Sequence, residues 1–230
     1  MRREYDFRCA ERQHEFEPMW AKLLASIPDQ EQRRLMPRHS DVYDLPAIAA
    51  MLYEDHATIP VTEERWLAVV DSVDSQVKMW QAEVRHDLLL LLKSAKNLPP
   101  HWFLTPALKP QAVDVTGDEV DFSVIDKASS LFRCGTYGCK DLFGHAAIFD
   151  HRHFHNRKWV DILSRLQCEA GTELVVAAVL KNLNLPEDTS LAAMEQLNGR
   201  LICLCGHRNS TTFGELVCLI LMLLCFTHSR

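Results

Sequence analysis

The sequence predicts a mainly α protein that carries a small turn-rich α+β module in its C-terminal half, and three observations lead there. All eight glycines lie at or after Gly117, and seven of the eight cysteines lie at or after Cys134. Apolar residues recur at helical spacing through the first hundred residues, and cysteines and histidines crowd together after residue 130. A first half without glycine lacks the residue that left-handed turns favour, which suits long helices joined by proline-bearing connections.

The helices follow in order. Phe16, Trp20, Leu23, Leu24 and Ile27 fall on one helical face, and Pro28 marks the end of that element. A short helix begins near Asp44 and carries Ile48, Met51 and Leu52. The longest begins after Thr62, a capping residue followed by Glu63 and Glu64, whose charges suit the positive end of the helix dipole. Along it Trp66, Val70, Val73, Val77, Trp80 and Val84 repeat at alternating spacings of four and three. Asp87 interrupts this seam, so a packed intramolecular core is expected rather than a coiled-coil dimer.

Residues 97–111 hold four prolines and read as an extended connection. The expected organisation is a helical domain over 1–96, a Pro-rich linker over 97–116 and a Cys/His-rich domain over 117–230.

The stretch from Leu131 to Trp159 concentrates the chemistry. Cys134 and Cys139 are separated by four residues, and His151 and His155 by three; Phe132, Phe143 and Ile148 are interleaved with them. Zinc prefers four thiolate or imidazole ligands placed tetrahedrally, and two close pairs brought together by a turn supply them. Gly135 and Gly138 let the chain fold back between the thiols. His151 and His155 share a face only if their segment is helical; His151, His153 and His155 share one if it is extended. His145, His153 and Cys168 stand as substitute ligands. Phe132, Phe143 and Ile148 are the miniature core of a module too small to hold itself together without metal.

These residues resemble the Cys-Cys-His-His zinc finger, with an aromatic two before Cys134, an aromatic at Phe143 and an aliphatic at Ile148. The gap from Cys139 to His151 is eleven residues where the finger usually has about twelve, which disfavours a regular finger helix. The resemblance implies a structural Zn2+ ion. A weaker echo, Cys203, Cys205 and His207 with Cys218, is a candidate second metal site, although a Cys-x-Cys pair on a strand is equally consistent with buried small residues.

From Asp41 onward, and especially across HSDVYDLPAIAAMLYEDHATIPVTEERW, SLFRC, LNLPEDTSLAAMEQLNGRLICLCGH and TTFGELV, the chain resembles a large group of uncharacterised proteins from basidiomycete mushrooms. Some members of that group carry an F-box at their N-terminus. The resemblance spans roughly four-fifths of the chain and implies no activity. The first forty residues lack the Leu-Pro start and three-helix pattern of an F-box.

Several function classes are disfavoured. A net charge of −6 and a pI near 6.0 argue against binding nucleic acid over the whole surface. The charged start MRREYDFRCAERQHEF lacks the apolar segment of a secretory signal, so a cytoplasmic or nuclear location with reduced thiols is expected. Leu216–Phe226 is an apolar run of eleven residues, where a bilayer crossing needs ~20. GHAAIFD, just ahead of His151, offers no Arg, Lys, Asn or Gln to read a base edge, which argues against sequence-specific DNA binding. Arg152, Arg157 and Lys158 leave nonspecific phosphate contact as an alternative. A metal-dependent hydrolase would use His151, His153 and His155 with Asp150 as base, yet no carboxylate ligand follows them and no Gly-x-Ser-x-Gly or phosphate loop occurs. The expected role is therefore non-enzymatic: an interaction or adaptor protein with a protein partner.

Overall fold

The computed structural model describes residues 2–54, 59–96, 121–139, 141–168 and 172–197. The expected linker and the second Cys/His group, Cys203, Cys205, His207 and Cys218, lie outside the described residues, as does the apolar run Leu216–Phe226. The architecture is mainly helical with one small antiparallel sheet, as the sequence predicts. The chain divides into two compact units, Met1–Val84 with Phe154–Trp159, and Arg85–His153 with Val160–Arg230.

The first unit is helical. It holds α1 (Arg2–Ser26), α2 (Gln30–Arg34), α3 (His39–Val42), α4 (Pro46–Ala49) running into a π-helical turn (Ala50–Glu54), and the start of α5 (Glu63–Lys96). The stripes read from the sequence form its core: Phe16 and Trp20 from α1, Ile48, Met51 and Leu52 from α4 and its extension, and Trp66, Val73 and Val77 from α5 are all buried. Val70 and Trp80 pack against that core, so the α5 seam faces its own unit. Phe16 stacks on Trp20 and meets Trp66 edge-on, with ring centroids 6.3 and 5.7 Å apart.

Polar side chains hold the connections. Thr62 caps α5 by accepting the Arg65 N–H, and Asp29 caps α2 by accepting that of Glu31. Glu15 on α1 accepts the Val61 N–H at 2.7 Å, Gln13 donates to the Tyr53 hydroxyl, and the buried Arg12 guanidinium donates to the Met51 carbonyl. The turn from α4 into α5 is thus tied to α1 at three points. Pro18 lies within α1, where its ring removes one backbone donor without ending the helix.

The second unit takes in the C-terminal part of α5, since the boundary at Val84 falls inside this continuous helix and not at its end. Helix α6 (Ser123–Asp126) leads to β1 (Phe132–Cys134), β2 (Leu142–Phe143), a 3-10 helix (His145–Asp150), α7 (Trp159–Leu163), β3 (Leu166–Cys168), α8 (Thr172–Asn182) and α9 (Leu191–Gln196). The strand order is β2-β1-β3, with Phe132 opposite Phe143 on one side and Cys168 on the other. Ala128, Leu131 and Leu142 pack with Val175, Val176 and Leu180 of α8 and Met194 of α9. Phe132 and Ile148 are fully buried, as expected of the module's core, whereas Phe143 is half-buried.

Candidate metal centre

Two tight backbone features bring the cysteines together. Cys134 ends the central strand, and the chain then turns so that the Cys139 N–H donates to the Thr136 carbonyl at 3.0 Å. Gly138 sits at φ +79° in this turn, a left-handed conformation that a side chain would strain. Gly135 has a different reason to be glycine. Its N–H donates to the Arg165 carbonyl at 2.7 Å, and a Cβ there would lie 2.8 Å from that oxygen. The turn therefore rests against the chain entering β3, which fixes where both sulfurs lie.

The histidines arrive from a different direction. After β2 the chain winds through the 3-10 helix, whose His145, Ile148 and Phe149 are buried, and leaves it at His151 with extended backbone. His151 and His153 then turn toward the cysteines. Cys134 Sγ lies 3.5 Å from His153 Nδ1, Cys139 Sγ lies 3.5 Å from His151 Nε2, and the two imidazole nitrogens are 3.2 Å apart. All four donor atoms fall within 4.8 Å of one another, and together they could hold a metal ion. Cys134, Cys139 and His151 are buried and His153 is half-buried.

The sequence-predicted set thus needs one correction. His155 is exposed and lies outside the group, and His153 occupies the fourth corner. The i, i+4 pairing of His151 with His155 requires a helix, and residues 151–156 form bends and turns instead. The 3-10 helix over residues 145–150 ends before the histidines, and the turn that follows brings His151 and His153, two positions apart, to the cysteines. The other substitutes stay apart. His145 is buried with its Nδ1 3.5 Å from Asp126, and Cys168 pairs across the sheet with Phe132. Burial pushes the Cys168 thiol up to about 12, far from the range in which a thiolate forms readily.

Two flanking residues were not foreseen. Asp141 places a carboxylate oxygen 3.5 Å from His151 Nδ1, the ring nitrogen that faces away from the cluster. A carboxylate there favours the tautomer with a proton on Nδ1 and leaves the Nε2 lone pair free for a metal. Thr136 puts its hydroxyl 3.1 Å from Cys134 Sγ and directs its backbone N–H at the same sulfur. The Phe143 ring tilts over His151 at 4.8 Å and restricts its rotation. An aspartate two positions after the second cysteine is the signal that could have identified this support.

Electrostatics at the site disfavour charge on both Cys139 and His151. Burial raises the Cys139 thiol, and the nearby Asp141 and Cys134 charges act in the same direction, against a lowering contact from the Asp141 backbone. Burial lowers the His151 imidazole, opposed by Asp141 and assisted by His153 and Arg152. Both shifts penalise charge in an enclosed site: the thiol holds its proton and the imidazole stays neutral. A divalent cation reverses the first penalty, because it stabilises thiolate directly.

Among the described residues, no helix is long and apolar enough to cross a membrane. The chain matches no protein-family model, no curated protein and no solved structure.

Proposed function

We propose that this chain is a non-enzymatic interaction protein whose second unit is held together by a structural zinc ion bound to Cys134, Cys139, His151 and His153. The observation that carries the reading is the spacing of the donor atoms. With Zn–S bonds of about 2.3 Å and Zn–N bonds of about 2.05 Å, a tetrahedron requires S···N separations of about 3.6 Å and an N···N separation of about 3.3 Å. The separations here are 3.5, 3.5 and 3.2 Å. Two sulfurs and two imidazoles are also the donor set that selects zinc over magnesium or calcium.

Four protein donors complete a tetrahedron and leave no position for a reacting water, which favours a structural over a hydrolytic role. The short 3-10 helix ahead of His151 turns His145, Ile148 and Phe149 inward, unlike a recognition helix offering side chains to a groove. An adaptor role draws support from the turn between the cysteines, where Tyr137 is fully exposed. An exposed aromatic of this kind suits a protein contact. With reduced thiols required for binding, we place the protein in the cytoplasm or nucleus.

Elemental analysis of the purified chain, with thermal melting in and out of chelator, tests the zinc centre. One zinc per chain and a lower melting temperature in chelator are expected; a metal-free chain indifferent to chelator would remove the proposal. Capture of partners from native extract by the wild type but not by Tyr137→Ala tests the adaptor reading. Equal capture by both would reject Tyr137 as the contact.

A further inference from the structure

The chain changes unit immediately after the metal ligands. Residues 151 and 153 belong to the second unit, whereas Phe154–Trp159 packs as part of the first. Phe154 and Trp159 are both buried, with 1% and 6% of their surface exposed. The segment is also bound through its polar groups. The Trp159 N–H donates to the buried Asp41 carboxylate at 2.8 Å, the Ser40 hydroxyl donates to the Arg157 carbonyl at 2.9 Å, and the Lys158 ammonium pairs with Asp44. All three partners lie on α3 or within two residues of its end. Asn156, at the middle of the segment, takes a left-handed φ of 57°, which marks a sharply shaped strap and not an extended connection.

One peptide bond joins this strap to His153, a donor of the metal centre. We infer that metal binding and the seating of the 154–159 strap on α3 are thermodynamically linked, so that the zinc centre acts as a metal-dependent latch for this strap. This inference rests on the metal centre proposed above.

The physical basis is chain entropy. Binding metal fixes the His153 backbone, and the strap that follows then starts from an anchored end and loses less freedom on seating. Linkage is reciprocal: if the metal favours the seated strap, the seated strap must favour the metal by the same factor. Loss of metal would release a ligand-bearing loop together with the start of the strap, exposing the Phe154 and Trp159 side chains that are buried when it is seated.

Two measurements on the full chain test this. The first is hydrogen exchange of the wild type with Zn2+ and with chelator, read at the amides of residues 154–159. The Trp159 amide, held by Asp41, is expected to exchange at least about tenfold faster without metal, within the range of ordinary allosteric couplings. Unchanged protection there, with loss of protection confined to 134–153, would overturn the latch. The second is the Zn2+ affinity of Ser40→Ala and Asp41→Asn, neither of which is a metal ligand. A fall of roughly fivefold or more is expected from reciprocity. If either variant stays folded, exposes its strap and yet binds Zn2+ within about twofold of wild type, the linkage is refuted. A wild type that binds no Zn2+ would instead remove the metal centre itself, and the latch with it.

Discussion

Replacing His153 and His155 one at a time separates the two possible ligand sets by a wide margin. His153 Nδ1 lies 3.5 Å from Cys134 Sγ and 3.2 Å from His151 Nε2, whereas His155 is exposed and outside the cluster. Structural zinc binding in small modules is worth about 10–16 kcal/mol in all, so an equal share among four ligands is about 2.5–4 kcal/mol each. At 1.4 kcal/mol per tenfold, His153→Ala should weaken zinc binding by about 10²–10³-fold. His155→Ala removes a solvent-facing ring and should change it by less than about twofold, as surface substitutions do. Competition against a chromophoric chelator of known affinity reads both variants directly, and a thermal melt in excess zinc should show the same order. A large loss in His155→Ala with near-wild-type binding in His153→Ala would refute the geometric reasoning and restore a helical ligand pair.

Other outcomes follow from the same structure. Gly135→Ala should lower the melting temperature and weaken metal binding, because its Cβ would meet the Arg165 carbonyl at 2.8 Å and must displace backbone; overpacking of this kind costs about 1–3 kcal/mol. Trp20→Ala should cost about 3–5 kcal/mol in chemical denaturation, since the ring is almost wholly buried against Phe16, without changing zinc stoichiometry. In chelator, acid should destabilise the second unit. Burial holds the His151 imidazole below its ordinary value, so the unfolded chain takes up the proton first, and stability present above pH ~6.5 is lost as pH falls toward the lower folded value. Melting temperatures that rise from pH 7 to pH 5.5 would contradict this sign.

Much of the helical unit was legible because burial there follows a simple period. Phe16, Trp20, Trp66, Val73 and Val77 stand at helical spacing and all reach the core, and the Thr62 cap is where the longest helix starts. In the metal centre, Cys134, Cys139 and His151 were readable from their spacing and flanking apolar residues. The fourth ligand was misread as His155, because that choice assumed a helical His-x-x-x-His pair and the chain after Asp150 forms bends and turns instead. The chain leaves the 3-10 helix His145–Asp150 at His151, and the spacing of the histidines alone does not show where that helix ends. The strap was hidden for a similar reason. Nothing in the order of residues associates Phe154 and Trp159 with Asp41, more than a hundred positions earlier; only the bond from Asp41 to the Trp159 amide does so. The π-helical turn at Ala50–Glu54 was also invisible, because its residues suit an ordinary helix equally well.

X-ray absorption at the zinc edge of the purified chain counts the atoms bound to the metal. Two sulfur scatterers at about 2.3 Å and two imidazole nitrogens at about 2.0–2.1 Å are expected, with one sulfur lost in Cys134→Ser. A shell of light atoms alone, or a spectrum unchanged by Cys134→Ser, would contradict the proposed centre.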